Sequence, residues 1–279
     1  MTNEENTIKN QYSYRYPRPA VTCDCVIFGF DGNDLEILLI ERKLEPFKGS
    51  WALPGGFMKM DETVEQCARR ELKEETNIQH IYLEQFEVFS RTDRDPRGRV
   101  VTVAFIALVR PADYDVIGGD DAERATWFNA DMLPPLAFDH HDIISKAKVR
   151  LSEILKLRPV AFKLVGDVFS VDELRKVYEA VNNTRYDRRN FQRKLVQTDL
   201  VEELADDFVQ LPSASRNNAS YSMPDEIDGS TPSRVSSKGR KPSKLFRLKS
   251  SRSSADPDNG SKSNIGRDIA DSIKDLFNF

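Results

Sequence analysis

Three glutamates, Glu71, Glu74 and Glu75, crowd the end of the stretch GFMKMDETVEQCARRELKEETNI, Gly56 to Ile78. Val64, Cys67, Ala68 and Leu72 recur there at helical spacing, which predicts an amphipathic helix opening near Asp61 or Thr63. Residues three and four apart lie on one helix face, so the three carboxylates are expected on one patch. Like charges placed together repel unless a cation neutralises them. Hard oxygen donors of this kind suit Mg²⁺, with Mn²⁺ as the alternative. Taken alone, an acid-rich helix is more often a solvated face than a metal site.

The surrounding pattern changes that balance. Gly56, five residues, Glu62, seven residues, then Arg70-Glu71-Leu72-Lys73-Glu74-Glu75 resembles the signature box of the Nudix hydrolases. Its one departure is Asn77 where that family has Gly, and Asn tolerates a left-handed helix cap. The resemblance covers residues 17–150 and implies an α/β fold, the Nudix-type α/β/α sandwich with a mixed sheet. It implies hydrolysis of a nucleoside diphosphate linked to a further group, with water attacking one phosphorus of the pyrophosphate. Carried over residue by residue, Glu71, Glu74 and Glu75 are the catalytic candidates. Glu71 and Glu75 are the first-choice metal ligands, Glu74 is a further one directly or through water, and the Gly56 carbonyl reaches the metal. Glu62 and Arg70 orient helix and loop through an ion pair. The general base stays open, with Glu71 a candidate from its place beside the metal.

The substrate candidates are basic. Residues 91–99 carry four arginines, with Pro96 and Gly98 shaping a turn. A guanidinium suits bidentate phosphate recognition, although a solvated charged loop is a competing reading. Asp95-Pro96-Arg97-Gly98-Arg99 resembles the Nudix branch that acts on ADP-ribose and related sugar nucleotides. Arg42, Arg97 and Arg99 are therefore the expected contacts to a nucleotide-sugar ligand.

The elements that must position these groups are legible as hydrophobic runs. Ala20–Phe28 and Leu35–Ile40 read as a hairpin around the Asp31–Asp34 turn. Ile81–Ser90, Val100–Val109 and Arg124–Phe128 read as further strands, and Asp142–Lys156 as a helix. His140 and His141 adjoin at its start and do not face one way, so packing or capping is the expectation. Cys23, Cys25 and Cys67 lack framework spacing and read as buried thiols in a reducing compartment.

Hydrophobic residues make up 39% of the 279-residue chain and the net charge is -4, which fits a soluble domain with polar appendages. The N-terminal stretch reads as flexible (residues 1–16) and not as a signal peptide. No apolar run is long enough for a helix across a bilayer, so a cytoplasmic protein without membrane partners is expected.

The second half changes character. Ser170 and Glu173 form a capping box in sequence before a helix through Asn182. Asn183–Tyr186 turns, and Asp187 caps a second helix, Arg188–Val196. Phe191 and Leu195 face inward there, while Arg188, Arg189, Gln192 and Arg193 face outward. Arg and Gln are suited to guanine and adenine edges in the major groove, so the pattern is that of a helix-turn-helix. Asp187–Leu195 resembles the recognition-helix region of Nudix-related transcription regulators, which join a Nudix domain to a C-terminal winged helix-turn-helix. Gly239–Leu248 resembles their returning wing strand, and Arg234–Arg252 holds eight basic residues and no acidic one. Arg240 and Lys241 are candidate phosphate contacts there. The winged helix is expected over 157–249 with a disordered insertion at about 205–237, and 250–279 as a mostly disordered tail with a short amphipathic helix from Ile265. The resemblance implies double-stranded DNA as a partner, and a homodimer.

Three functions stay open: an Mg²⁺-dependent hydrolase joined to a DNA-binding regulator domain, a regulator whose Nudix domain only senses its ligand, and a hydrolase whose C-terminal part aids dimerisation.

Overall fold

The computed structural model describes residues 15–116, 118, 122–204 and 244–249. The insertion at 205–237, Arg240, Lys241 and the tail at 250–279 lie outside the described residues, as do residues 1–14.

Strand β1 (Ala20–Phe30) is the centre of a seven-stranded mixed sheet. It pairs antiparallel with β2 (Leu35–Arg42), closing the expected hairpin, and parallel with β6 (Val100–Leu108). Around these lie β3 (Trp51–Ala52), β4 (Gly55–Phe57), β5 (Tyr82–Phe89) and β7 (Ala122–Asn129). Side chains alternate across a strand, and β1 uses both faces. Cys23, Cys25 and Ile27 pack with Cys67, Ala68 and Leu72 of α1 (Val64–Thr76). Val26 and Phe28 pack with Ile143, Ile144 and Ala147 of α2 (His140–Leu155). One helix on each face makes the α/β/α sandwich. The three thiols are buried within it, and burial raises the pKa of Cys25.

Thr63 caps α1 in a reciprocal box with Gln66, and Asn77 closes it in the left-handed conformation at φ 60°. The departure from glycine at that position is thereby accommodated. Helix α2 begins at His140, two residues before the sequence suggested. Its N-cap Asp139 makes no side-chain cap bond, because its carboxylate is engaged by Arg94.

A 3-10 turn, Pro159–Lys163, leads into the second unit. Strand β8 (Val168–Ser170) precedes α3 (Val171–Asn182), capped by the Ser170–Glu173 box, and Asp187 caps α4 (Arg188–Gln197). Strands β9 (Val201–Glu203) and β10 (Leu245–Leu248) complete a three-stranded antiparallel sheet with β10 in the middle. Phe246 of β10 is 1% exposed, so the returning strand docks through a buried aromatic residue. The two units share one apolar cluster running from Phe28 and Leu151 to Leu174 and Phe246. Ser152 on α2 hydrogen-bonds to Asn182 on α3 at 2.7 Å, and Lys176 donates to the Gly32 carbonyl at 3.0 Å. Among the described residues no helix is long and apolar enough to cross a membrane.

Candidate functional site

Beside the C-terminal half of α1 lies a cavity of about 450 Å³. Its lining includes Gly55, Gly56, Glu71 and Glu75 on one side and Arg42, Arg97, Phe57 and Phe138 on another. Two glycines allow the close approach of loop and helix. A Cβ on Gly56 would stand 2.4 Å from a Glu71 carboxylate oxygen, and one on Gly55 2.1 Å from the Cys23 carbonyl oxygen. The Gly55 N–H donates to Glu75 at 2.8 Å, which fixes a carboxylate that is only 5% exposed.

Arg70 is the hub of the box. Its guanidinium donates to both carboxylate oxygens of Glu62, at 3.0 and 2.6 Å, and to the Phe57 carbonyl at 3.1 Å. It also reaches Glu71 at 2.7 Å and Glu74 at 3.0 Å. Glu62 thereby clamps Arg70 to the loop before α1, where it also accepts the Lys59 N–H at 2.8 Å. Burial raises the Glu71 pKa, and the adjacent Arg70 offsets part of the rise. The pairing with Glu62, and then with Glu71 and Glu74, raises that of Arg70.

Glu71 and Glu74 meet on one nitrogen of Arg70, but the three glutamates do not share the cavity equally. Glu71 and Glu75 line the cavity, whereas Glu74 does not. Its side chain is 45% exposed and is drawn to Arg70. Four residues apart is close to a full turn, but Glu74 sits about 100° around the helix from Glu75. Among the described residues, no three His, Cys, Asp or Glu side chains are grouped to hold a metal ion.

The arginine loop divides by role. Arg97 lies over Phe57 and Phe138, its guanidinium 4.8 and 5.3 Å from the ring centres, and pairs with Asp95. Burial raises the Asp95 pKa, but hydrogen bonds from Arg97 outweigh this and leave it below the ordinary value. Arg42 also lies over Phe138, its guanidinium 4.9 Å from the ring centre. Arg99, expected beside the ligand, is outside the cavity lining. Its guanidinium donates to the Ser90 carbonyl at 2.9 Å and holds the base of the loop.

On the second unit, Phe191 and Leu195 are buried as α4's periodicity requires. Arg189 and Arg193 are exposed and Gln192 half-buried. Arg188 is exposed too, but pairs with Asp172 of α3 at 3.1 Å.

The NUDIX domain family matches residues 18–147, and the NrtR DNA-binding winged helix domain family matches residues 161–222. The ADPR responsive transcriptional repressor NtrR of Acinetobacter baylyi is 37% identical over 192 residues, covering 67% of this chain and 76% of that protein. The chain belongs to the NrtR family. An ADP-ribose pyrophosphatase of Methanocaldococcus jannaschii is 47% identical over 134 residues, 46% of this chain and 73% of that one. The structure of Shewanella oneidensis NrtR complexed with a 27mer DNA aligns with a TM-score of 0.60 and 28% identity, covering 82% of this chain and 93% of that one. This NrtR-family chain is thus a Nudix domain fused to a DNA-binding winged helix.

Among the cavity residues that the sequence did not mark as ligand contacts are Thr22, Asp24, Arg94 and His140. Arg94 is buried and donates to Asp139 through two nitrogens, at 3.0 and 2.8 Å, and to Asp24 at 3.2 Å. His140, expected to pack or cap, lies 5.3 Å from the Phe138 ring and also accepts the Leu53 N–H on Nδ1 at 2.8 Å. Burial lowers its pKa, which favours the neutral ring. The available signal was Asp24, the one charged residue in an eleven-residue strand, since a buried charge needs a partner.

The Glu62 clamp gives a pH signature. Hydrogen bonds from Arg70 lower the Glu62 pKa from 4.5 to about 2. A carboxylate depressed in the folded state contributes its stability fully above the unfolded pKa and loses it as pH falls through the folded one. Stability is therefore expected to fall from about pH 4.5 to about pH 2, and Glu62→Gln to flatten that part of the curve. Denaturant titrations of both proteins across the interval check this. Parallel curves would remove Glu62 as a source of the acid sensitivity.

Proposed function

We propose that this chain is a transcription regulator that binds operator DNA through its winged helix and takes ADP-ribose or a related sugar nucleotide into the cavity at Glu71 and Glu75, where Mg²⁺-dependent pyrophosphate hydrolysis occurs. One observation carries the reading. The carboxylates of Glu71 and Glu75 share a cavity with Arg42, Arg97 and the rings of Phe57 and Phe138, a surface for a phosphate chain with attached rings. The activities named for the Acinetobacter and Methanocaldococcus relatives support it.

The hard oxygen donors of Glu71, Glu75 and the Gly56 carbonyl fit a divalent cation, with Glu74 a further ligand at the edge. Bound there, Mg²⁺ supplies neutralisation of phosphate oxygens and a lowered pKa for attacking water. The chain's own contribution is positional. Arg97 and Arg42 hold the phosphates, Phe57 and Phe138 exclude bulk water, and Arg70 fixes the direction of Glu71. Glu71, beside the metal position, is the candidate general base.

A homodimer would present two α4 helices to a palindromic operator, in the cytoplasm. We divide the chain at 17–150 for the hydrolase unit and 157–249 for the winged helix. The first turn of α2 walls the cavity at His140, and its last turns pack on α3. Ligand occupancy thereby has a physical route to the DNA-binding unit.

A second reading, sensing without turnover, is favoured by Arg70, which already pairs with Glu71 and Glu74. One experiment separates the two. The full chain is bound to a duplex selected from a random library, and ADP-ribose with Mg²⁺ is added. DNA release is followed by gel shift and AMP by chromatography. Release with AMP formation supports the hydrolase-regulator. Release with intact ADP-ribose leaves only the sensor, and the absence of both release and AMP overturns both readings.

A further inference from the structure

The floor of the cavity carries polar groups that the pyrophosphate chemistry does not use. Thr22 and Asp24 are two residues apart on β1 and share the face that is apolar further along, at Val26 and Phe28. Both are 6% exposed and line the cavity. The Thr22 hydroxyl has no hydrogen-bond partner. Asp24 accepts from Arg94 on Oδ2, while its Oδ1 would stand 3.0 Å from a Cβ placed on Gly55. His140, 4% exposed, lies opposite. Its Nδ1 accepts from Leu53, so the proton of the neutral ring is on Nε2. That Nε2 is 3.9 Å from Asp24 Oδ1, beyond hydrogen-bond length.

The lining therefore holds one buried hydroxyl without a partner, on Thr22, and a donor and an acceptor, His140 Nε2 and Asp24 Oδ1, spaced 3.9 Å apart. A buried hydroxyl in that state costs stability unless something in the cavity satisfies it. A hydroxyl placed between His140 and Asp24 accepts from Nε2–H and donates to Oδ1. A neighbouring hydroxyl meets Thr22. Phosphate is a poor occupant, because an acceptor-only group would face the Asp24 carboxylate.

We propose that Thr22, Asp24 and His140 form a subsite for the vicinal hydroxyls of a sugar on the ligand. The proposal rests on the proposed function and specifies which part of the ligand this floor reads. The diol belongs either to the sugar beyond the diphosphate or to the nucleoside ribose, and the ligands of the test distinguish them.

The test is titration calorimetry on the full chain in Mg²⁺. The ligands are ADP-ribose with a methylene group in place of its bridging oxygen, ADP, and 2′,3′-dideoxy-ADP. Asp24→Asn is expected to weaken the ADP-ribose analogue about tenfold to a hundredfold, and Thr22→Val roughly threefold to tenfold. Thr22→Val is nearly isosteric and leaves the Arg94 ion pairs intact, so it stands as the test if Asp24→Asn fails to fold. If ADP affinity is unchanged in the variants, the subsite reads the sugar beyond the diphosphate. If ADP is weakened but dideoxy-ADP is not, it reads the nucleoside ribose. Wild-type affinities throughout, or an equal loss that persists with dideoxy-ADP, overturn the subsite and leave the proposed function standing. A wild-type chain that binds neither the analogue nor ADP overturns the proposed function and the subsite with it.

Discussion

Glu75→Gln is expected to lower Mg²⁺-dependent cleavage of ADP-ribose by more than about a hundredfold, since loss of even an outer-shell partner at a metal site costs about 10–100-fold. The substitution keeps the side-chain length and an acceptor for the Gly55 N–H, so the approach of loop and helix survives. What disappears is one negative charge at the cavity wall. Glu71 cannot replace it, because Arg70 already neutralises much of its charge. Glu74 faces outward and is drawn to the same guanidinium. The check is turnover of ADP-ribose against Mg²⁺ concentration, with a thermal melt of the same preparation. Wild-type turnover in a folded variant would remove Glu75 from the metal site and shift the reading toward sensing alone.

The same geometry shows which parts of the site a linear reading reaches. The box was legible because its information is local. Glu62, Arg70, Glu71 and Glu75 all belong to one loop and one helix, and a helix fixes relative directions within a turn or two. Even there, periodicity was too coarse for Glu74, whose direction depends on where Arg70 points. Both caps of the winged-helix pair were legible for the same reason, since Ser170 with Glu173 and Asp187 with Asn190 act over three residues. The cavity floor was not. Arg94 meets Asp24 and Asp139 across 70 and 45 residues, and nothing in the loop 91–99 separates a buried arginine from three others. Arg97 and Arg99 are two residues apart in one motif, yet the turn directs one over aromatic rings and the other into backbone carbonyls. The sheet order β3-β2-β1-β6-β5 likewise depends on long-range pairing. Alternation along a strand gives two faces but does not say which one meets α2.

The largest effect expected on the DNA side comes from two arginines on α4. Phe191 and Leu195 are fully buried, which fixes the helix's rotation and leaves Arg189 and Arg193, four apart, on its exposed side. Arg188 is a poorer choice because Asp172 already holds it. Arg189→Ala with Arg193→Ala is expected to weaken binding to a selected duplex by at least about thirtyfold, from two interactions of roughly 1 kcal/mol or more each. Stability should stay within about 0.5 kcal/mol, as for exposed substitutions away from caps and buried pairs, and ADP-ribose turnover should not change. The salt dependence tells what each arginine meets on the duplex. Removing one that meets only phosphate lowers the slope of log affinity against log salt by about 1 and weakens all sequences alike. Removing one that reads a base edge relaxes preference at one position. Unchanged affinity for DNA in gel shift would remove α4 as the recognition helix and leave the basic stretch around β10 as the surface to test.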